Sequence, residues 1–279
     1  MIKVKLTVVV AARPNFMKAA PLLKELQNHR DSFDVQLVHT GQHYDYEMNQ
    51  SFFDQLGIPA PDVNLEIGSG SHGKQTGEIL IAFEQYLLDK QPDCVIVFGD
   101  VNSTVACALA ASKLHIKVAH VEAGLRSFDR AMPEEVNRVL TDAISDRLYT
   151  PSDDGDQHLI AQGIDKDKIK MVGNIMIDTL IKHKEDAINT NYFKIFGLSP
   201  KEYTVVTLHR PSNVDTKEAL TPILEALNEI AKQSTVIFSI LGVCLPTSAL
   251  DLSKALFISP SICILPSLAC FKACSIISN

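Results

Sequence analysis

Short β-branched runs alternate with longer stretches of helical period along most of this chain, and that alternation predicts βαβ units building a parallel sheet. Leu6 to Ala12 is almost uninterrupted apolar sequence, the pattern of a strand buried on both faces, and Phe16 to His29 follows with apolar residues at helical spacing. Further strands are predicted at Val35 to His39, Cys94 to Phe98, Val118 to Val121, Leu148 to Thr150 and Ile169 to Val172. Between them fall helices at Tyr46 to Leu56, Gly77 to Asp89, Asn102 to Leu114 and Pro133 to Arg147, with a mobile glycine-rich loop expected from Gly68 to Gly77. Polar, lysine-rich sequence from Asn174 to Lys201 marks a junction between two lobes, residues 1–185 and 186–279. The second lobe opens with a strand at Tyr203 to Leu208, a helix at Lys217 to Lys232 and a strand at Thr235 to Phe238. Beyond it only Asp251, Lys254 and Lys272 are charged, Pro246, Pro260 and Pro266 interrupt every long element, and no periodicity is legible.

Composition narrows the function classes. With 279 residues, 46% hydrophobic and 21% charged, the chain has the makeup of an ordinary globular α/β protein. A net charge of -7 gives no basic field for nucleic acid, so an anionic ligand has to be met by individually placed cations. The six cysteines show neither CxxC spacing nor histidines at zinc-ligand distance; they read as reduced thiols, and no metal site is expected. Lys3 and Lys5 ahead of the first apolar run loosely imitate a leader peptide, but a buried strand explains the run better. No apolar run approaches the roughly 20 residues that span a bilayer, so membrane insertion is not expected and the cytoplasm is the default location.

In open parallel sheets ligands bind beyond the carboxyl ends of the strands. That rule singles out Arg13 and Lys18 after the first strand, His39, Gln42 and His43 after the second, Asp100 and Glu122 after the next two, and His209 with Arg210 in the second lobe. Each has a plainer reading. Arg13 and Lys18 could be surface cations, Gln42 and His43 part of a solvated loop, and Asp100 the cap of the following helix. Glu134 and Glu135 follow Pro133 in a helical first turn, where acidic residues are favoured in any case. Glu122 resists this treatment, because a carboxylate directly after apolar Val118 to Val121 loses water unless a partner or ligand replaces it. His209 ends a strand beside Arg210, where an anion can dock. GxGxxG, Walker A and HExxH sequences are absent.

Six ordered motifs carry a resemblance. They are Ala12 to Pro21 (ARPNFMKAAP), Thr40 to Asp45 (TGQHYD), Gly99 to Thr104 (GDVNST), His120 to Arg126 (HVEAGLR), Met132 to Arg138 (MPEEVNR) and Leu208-His209-Arg210. In this order they resemble the non-hydrolysing UDP-N-acetylglucosamine 2-epimerases of bacteria, over nearly all of the chain up to about Phe238. The resemblance implies two Rossmann-like lobes in a GT-B-like architecture, a UDP-sugar substrate and no cofactor. The implied reaction inverts C2 of the sugar by eliminating UDP and adding it back. Asp100, Glu122 and Glu134 are implied as acid/base carboxylates, and His209 as a contact to the diphosphate. Arg13 and Lys18 are implied as nucleotide ligands, Gln42, His43 and Arg210 as ligands of a second, activating substrate molecule, and a homodimer as the assembly.

After about residue 238 the chain departs from the family pattern: the His-Pro-Arg segment and the later Ser-Gly-Gly stretch with glutamates have no counterpart. The second lobe is therefore expected to be incomplete and aberrant, with its sheet left at an unpaired edge. Alternative readings are a catalytically inactive, truncated remnant or binding protein, a glycosyltransferase of the same architecture, and a 2-epimerase acting on a UDP-diacetamido-uronic acid sugar.

Overall fold

The computed structural model describes residues 2–41, 53–191, 193–194, 197–208, 213, 216–240 and 262–266. The backbone divides into two compact units, Met1–Glu185 and Asp186–Asn279. In the first, seven strands form one parallel sheet: β1 (Val4–Val10), β2 (Phe33–His39), β3 (Val63–Asn64), β4 (Cys94–Phe98), β5 (Lys117–Val121), β6 (Arg147–Thr150) and β7 (Ile169–Met171). Their order is β3-β2-β1-β4-β5-β6-β7, so the chain runs outward in one direction from β1 and then in the other from β4. The switch between β1 and β4 is where a doubly wound sheet opens a crevice.

Helices cover both faces, which is why the strands read as unbroken apolar runs. Leu6, Val8 and Val10 of β1, with Ile96 and Phe98 of β4, pack on Phe16, Ala19, Leu23 and Leu26 of α1 (Arg13–Asn28). Val9, Val95 and Val97 point the other way, onto Ile79, Phe83 and Leu87 of α2 (His72–Lys90) and the alanines of α3 (Asn102–Lys113). The remaining helices of this unit are α4 (Pro133–Ile144), α5 (Asp153–Ala161) and α6 (Ile175–Asn189), the last running across the boundary between the units.

Several elements differ from expectation. The loop predicted from Gly68 to Gly77 gives way at His72 to α2: Gly73 and Gly77 lie inside the helix with nothing within 4 Å of an added Cβ. Glycine weakens a helix by only about 1 kcal/mol, and packing of Ile79, Phe83, Tyr86 and Leu87 outweighs that. The polar stretch read as a loosened junction holds α6, which buries only Thr179 among its described side chains and exposes Ile177, Leu180, Ile181 and Ile188 beside its charged residues. Most of the helix predicted at Tyr46 to Leu56 lies outside the described residues.

In the second unit β8 (Tyr203–Thr207), β9 (Thr235–Ile240) and β10 (Ile262–Pro266) form a parallel sheet in the order β10-β9-β8. The helix α7 (Lys217–Ala231) starts at Thr216, whose hydroxyl accepts the Ala219 N–H, and buries Leu227 and Ala231 against Val236. β10 lies in the stretch where no periodicity is legible, and pairs with β9 from Ile262 to Pro266. Pro266 is tolerated at the end of a strand on the sheet's described edge, where no ladder donor is required.

Gly124 has a φ of 81°, and an added Cβ would lie 2.4 Å from the Gly155 carbonyl oxygen of α5. Gly163 shares the left-handed backbone, with a φ of 82°, but has nothing within 4 Å. Gly163→Ala is therefore expected to cost about 1 kcal/mol, from the backbone alone. Gly124→Ala should cost roughly 3 kcal/mol, because overpacking is added. Urea midpoints of the two variants measure the difference.

Candidate active site

Beyond the carboxyl ends of β1, β2 and β4 lies a cavity of about 420 Å³. Ala11 and Ala12 border it after β1, Thr40 and Gly41 after β2, Asp100 and Asn102 after β4. The first turns of α2, α3 and α4 bring His72, Ser103 and Glu134 to its wall. Helix N-termini carry partial positive charge and free N–H groups, so this crevice suits an anionic ligand.

Asp100 and Glu134 line the same cavity, whereas Glu122 does not. The Asp100 side chain does not cap α3, whose N-cap is Val101 with no side-chain cap bond; it pairs instead with Arg138. Glu122, just past β5, pairs with Lys18 of α1. Lys18 is 6% exposed, so it is not a surface cation. The pair lies against Gly99, where an added Cβ would stand 2.9 Å from Lys18 Nζ and 3.8 Å from Glu122 Oε2. Glu122 itself has a φ of 71°, a left-handed conformation that an L-residue holds only where its surroundings impose it. Its N–H and that of Ala123 both donate to the Tyr149 carbonyl. Arg13 opens α1. Gln42, His43, His209 and Arg210 lie outside the described residues, and His39 is buried beside Asn64.

A buried polar network joins two of the motifs to Asp142 of α4. His120 Nδ1 meets Asp142 Oδ1 at 2.7 Å, and Nε2 meets the Gly99 carbonyl at 2.8 Å. Asp142 Oδ2 accepts from Arg126 at 2.7 Å and from the Gly124 N–H at 3.1 Å. Burial pushes the Asp142 carboxyl upward, but the His120 hydrogen bond and the charges of His120 and Arg126 outweigh it and hold the group below its usual range. Glu135 behaves similarly: burial is overcome by hydrogen bonds from Ser127, Phe128 and Arg138. The adjacent glutamates therefore divide their work, Glu134 toward the cavity and Glu135 toward the 127–128 turn. Asn137 and Arg138 stand in the MPEEVNR motif but drew no role from sequence reading, and Asp142 was within reach only through its helical spacing from the other buried polar residues of α4.

The order of the sheet and the carboxylate-lined cavity at its switch point define a Rossmann-like unit with a ligand-sized crevice. The sequence profile of the family UDP-N-acetylglucosamine 2-epimerase matches residues 24–278, and the chain belongs to that family. It is 52% identical over 228 residues to a UDP-N-acetylglucosamine 2-epimerase homolog of Methanococcus maripaludis, a match covering 81% of this chain and 62% of that protein. It is 44% identical to a UDP-2,3-diacetamido-2,3-dideoxy-D-glucuronate 2-epimerase of Pseudomonas aeruginosa, over 81% of this chain and 63% of the relative. Among solved structures, UDP-GlcNAc 2-epimerase of Methanocaldococcus jannaschii in complex with UDP-GlcNAc and UDP superimposes with a TM-score of 0.83 at 42% identity, over 94% of this chain and 73% of that one. The chain thus spans less than two thirds of the length of the two curated relatives.

Asp142→Asn leaves His120 and Arg126 with a weakened acceptor and is expected to cost about 3–5 kcal/mol at neutral pH, read from urea unfolding. Because folding lowers the Asp142 pKa, its contribution is complete above the unfolded value near 3.9 and is lost as pH falls through the folded value. The gap between wild type and Asp142→Asn should accordingly close below about pH 4.

Proposed function

We propose that this protein is a UDP-N-acetylglucosamine 2-epimerase. A base removes the C2 proton, the bond from C1 to the diphosphate oxygen breaks, and 2-acetamidoglucal and UDP result. UDP then adds back at C1 while a proton is delivered to the opposite face of C2. The observation that carries this reading is the cavity at the switch point, lined by both Asp100 and Glu134. Asp100, Glu122 and Glu134 are the acid/base carboxylates of the proposal; Asp100 and Glu134 line the cavity where a weakly acidic carbon must lose and regain a proton, and Glu122 stands outside that lining, paired with Lys18. Arg13 and Lys18 hold the nucleotide in this proposal, and His209 contacts the departing diphosphate. Gln42, His43 and Arg210 bind a second, activating substrate molecule. The working assembly is a homodimer in the cytoplasm.

A UDP-diacetamido-uronic acid is the second candidate substrate, favoured by the 44% identity to the Pseudomonas aeruginosa relative. Comparing turnover of the two sugar nucleotides decides between them.

Incubated with UDP-GlcNAc in deuterated water, the protein should place deuterium at C2 and form the epimer. Neither exchange nor epimer with either sugar nucleotide would refute the proposal. Glu122→Gln should lower exchange by about 100-fold or more with the first unit still folded by circular dichroism, and normal exchange would remove Glu122 from the mechanism.

A further inference from the structure

The first two turns of α4 serve two carboxylates at once. Glu134 lines the cavity, and the residues one turn later take hold of Asp100. Asn137 Nδ2 donates to the Asp100 carbonyl at 2.8 Å, and Arg138 Nη2 donates to its carboxylate at 2.5 Å. Arg138 is itself braced, since Nη1 donates to Glu135 at 3.0 Å. Glu135, 3% exposed, accepts in turn from the N–H and hydroxyl of Ser127 and from the Phe128 N–H. The backbone before Asp100 is pinned by the same helix, because Asp142 meets His120 and His120 meets the Gly99 carbonyl. One helix thus carries Glu134 and fixes the main chain and carboxylate of Asp100.

We propose that Arg138 is a positioning residue, which together with Asn137 holds the Asp100 carboxylate at a set separation from Glu134 across the cavity. This rests on the 2-epimerase reading. A guanidinium suits the task because its planar fork serves two carboxylates at fixed angles, and an ammonium group does not.

The test compares wild type, Arg138→Met, Arg138→Lys, Asp100→Asn and the Arg138→Met/Asp100→Asn double variant as full chains, each checked for folding by circular dichroism. Arg138→Met should lower kcat for C2 exchange on the order of 10- to 100-fold while KM for the UDP-sugar moves little. Arg138→Lys should recover part of that loss, and the double variant should be no slower than Asp100→Asn alone. In spectra of the 15N-arginine-labelled, ligand-free chain, the Arg138 Nη–H signals should be slowly exchanging in wild type and averaged in Asp100→Asn. A raised KM with normal kcat, additive losses in the double variant, or an averaged wild-type signal would overturn the proposal. A wild type that exchanges neither sugar defeats the function proposed above and leaves the guanidinium signal to decide on the positioning role.

Discussion

Asp142 is 1% exposed, and a carboxylate so deep is stable only with its partners in place. His120 of β5, Arg126 of the segment beyond β5 and the Gly124 N–H supply them. Those contacts fix where α4 stands relative to the strand ends. The rest of the site follows from that placement: Glu134 is carried on the helix, Asn137 and Arg138 reach Asp100, and His120 passes the constraint to the Gly99 carbonyl. A hydrophobic contact could hold the helix as firmly, but it would not fix direction. Short, charge-assisted hydrogen bonds do both.

The strand ends themselves are built from unusual backbone. Gly99, Glu122 and Gly124 have φ values of 63°, 71° and 81°. At Gly99 the lack of a side chain lets the Lys18 ammonium come close, and at Gly124 it lets β5's exit pass against α5. Glu122 accepts the same kind of conformation without glycine's freedom, a cost that its shared bond to the Tyr149 carbonyl and its pairing with Lys18 help to offset.

Much of the first unit was legible because burial on both faces writes itself as unbroken apolar sequence, as in β1, β4 and β5. Pro133 announced the start of α4 for a local reason, its fixed φ and missing N–H. Local signals failed where distant packing decided. Gly73 and Gly77 looked like loop yet lie in α2, and Ile262–Pro266 showed no period yet forms β10 by pairing with β9. At the site, the topology rule singled out Asp100 and only the resemblance singled out Glu134; the first-turn pattern could not tell Glu134 from Glu135, whose difference is which side of the helix each occupies. Lys18 looked like an exposed helical lysine because no sequence pattern announces an ion pair between residues so far apart along the chain.

The contacts that shape the described site all close within the first unit, the furthest residue along the chain being Gln162, which accepts from Arg126. Synthesis proceeds from the amino end, and domains assemble as units during translation. The carboxylates and their supports can therefore be in place on the ribosome before the strands of the second unit emerge. Mistakes made later in synthesis would then fall on a nascent chain whose buried polar network is already arranged.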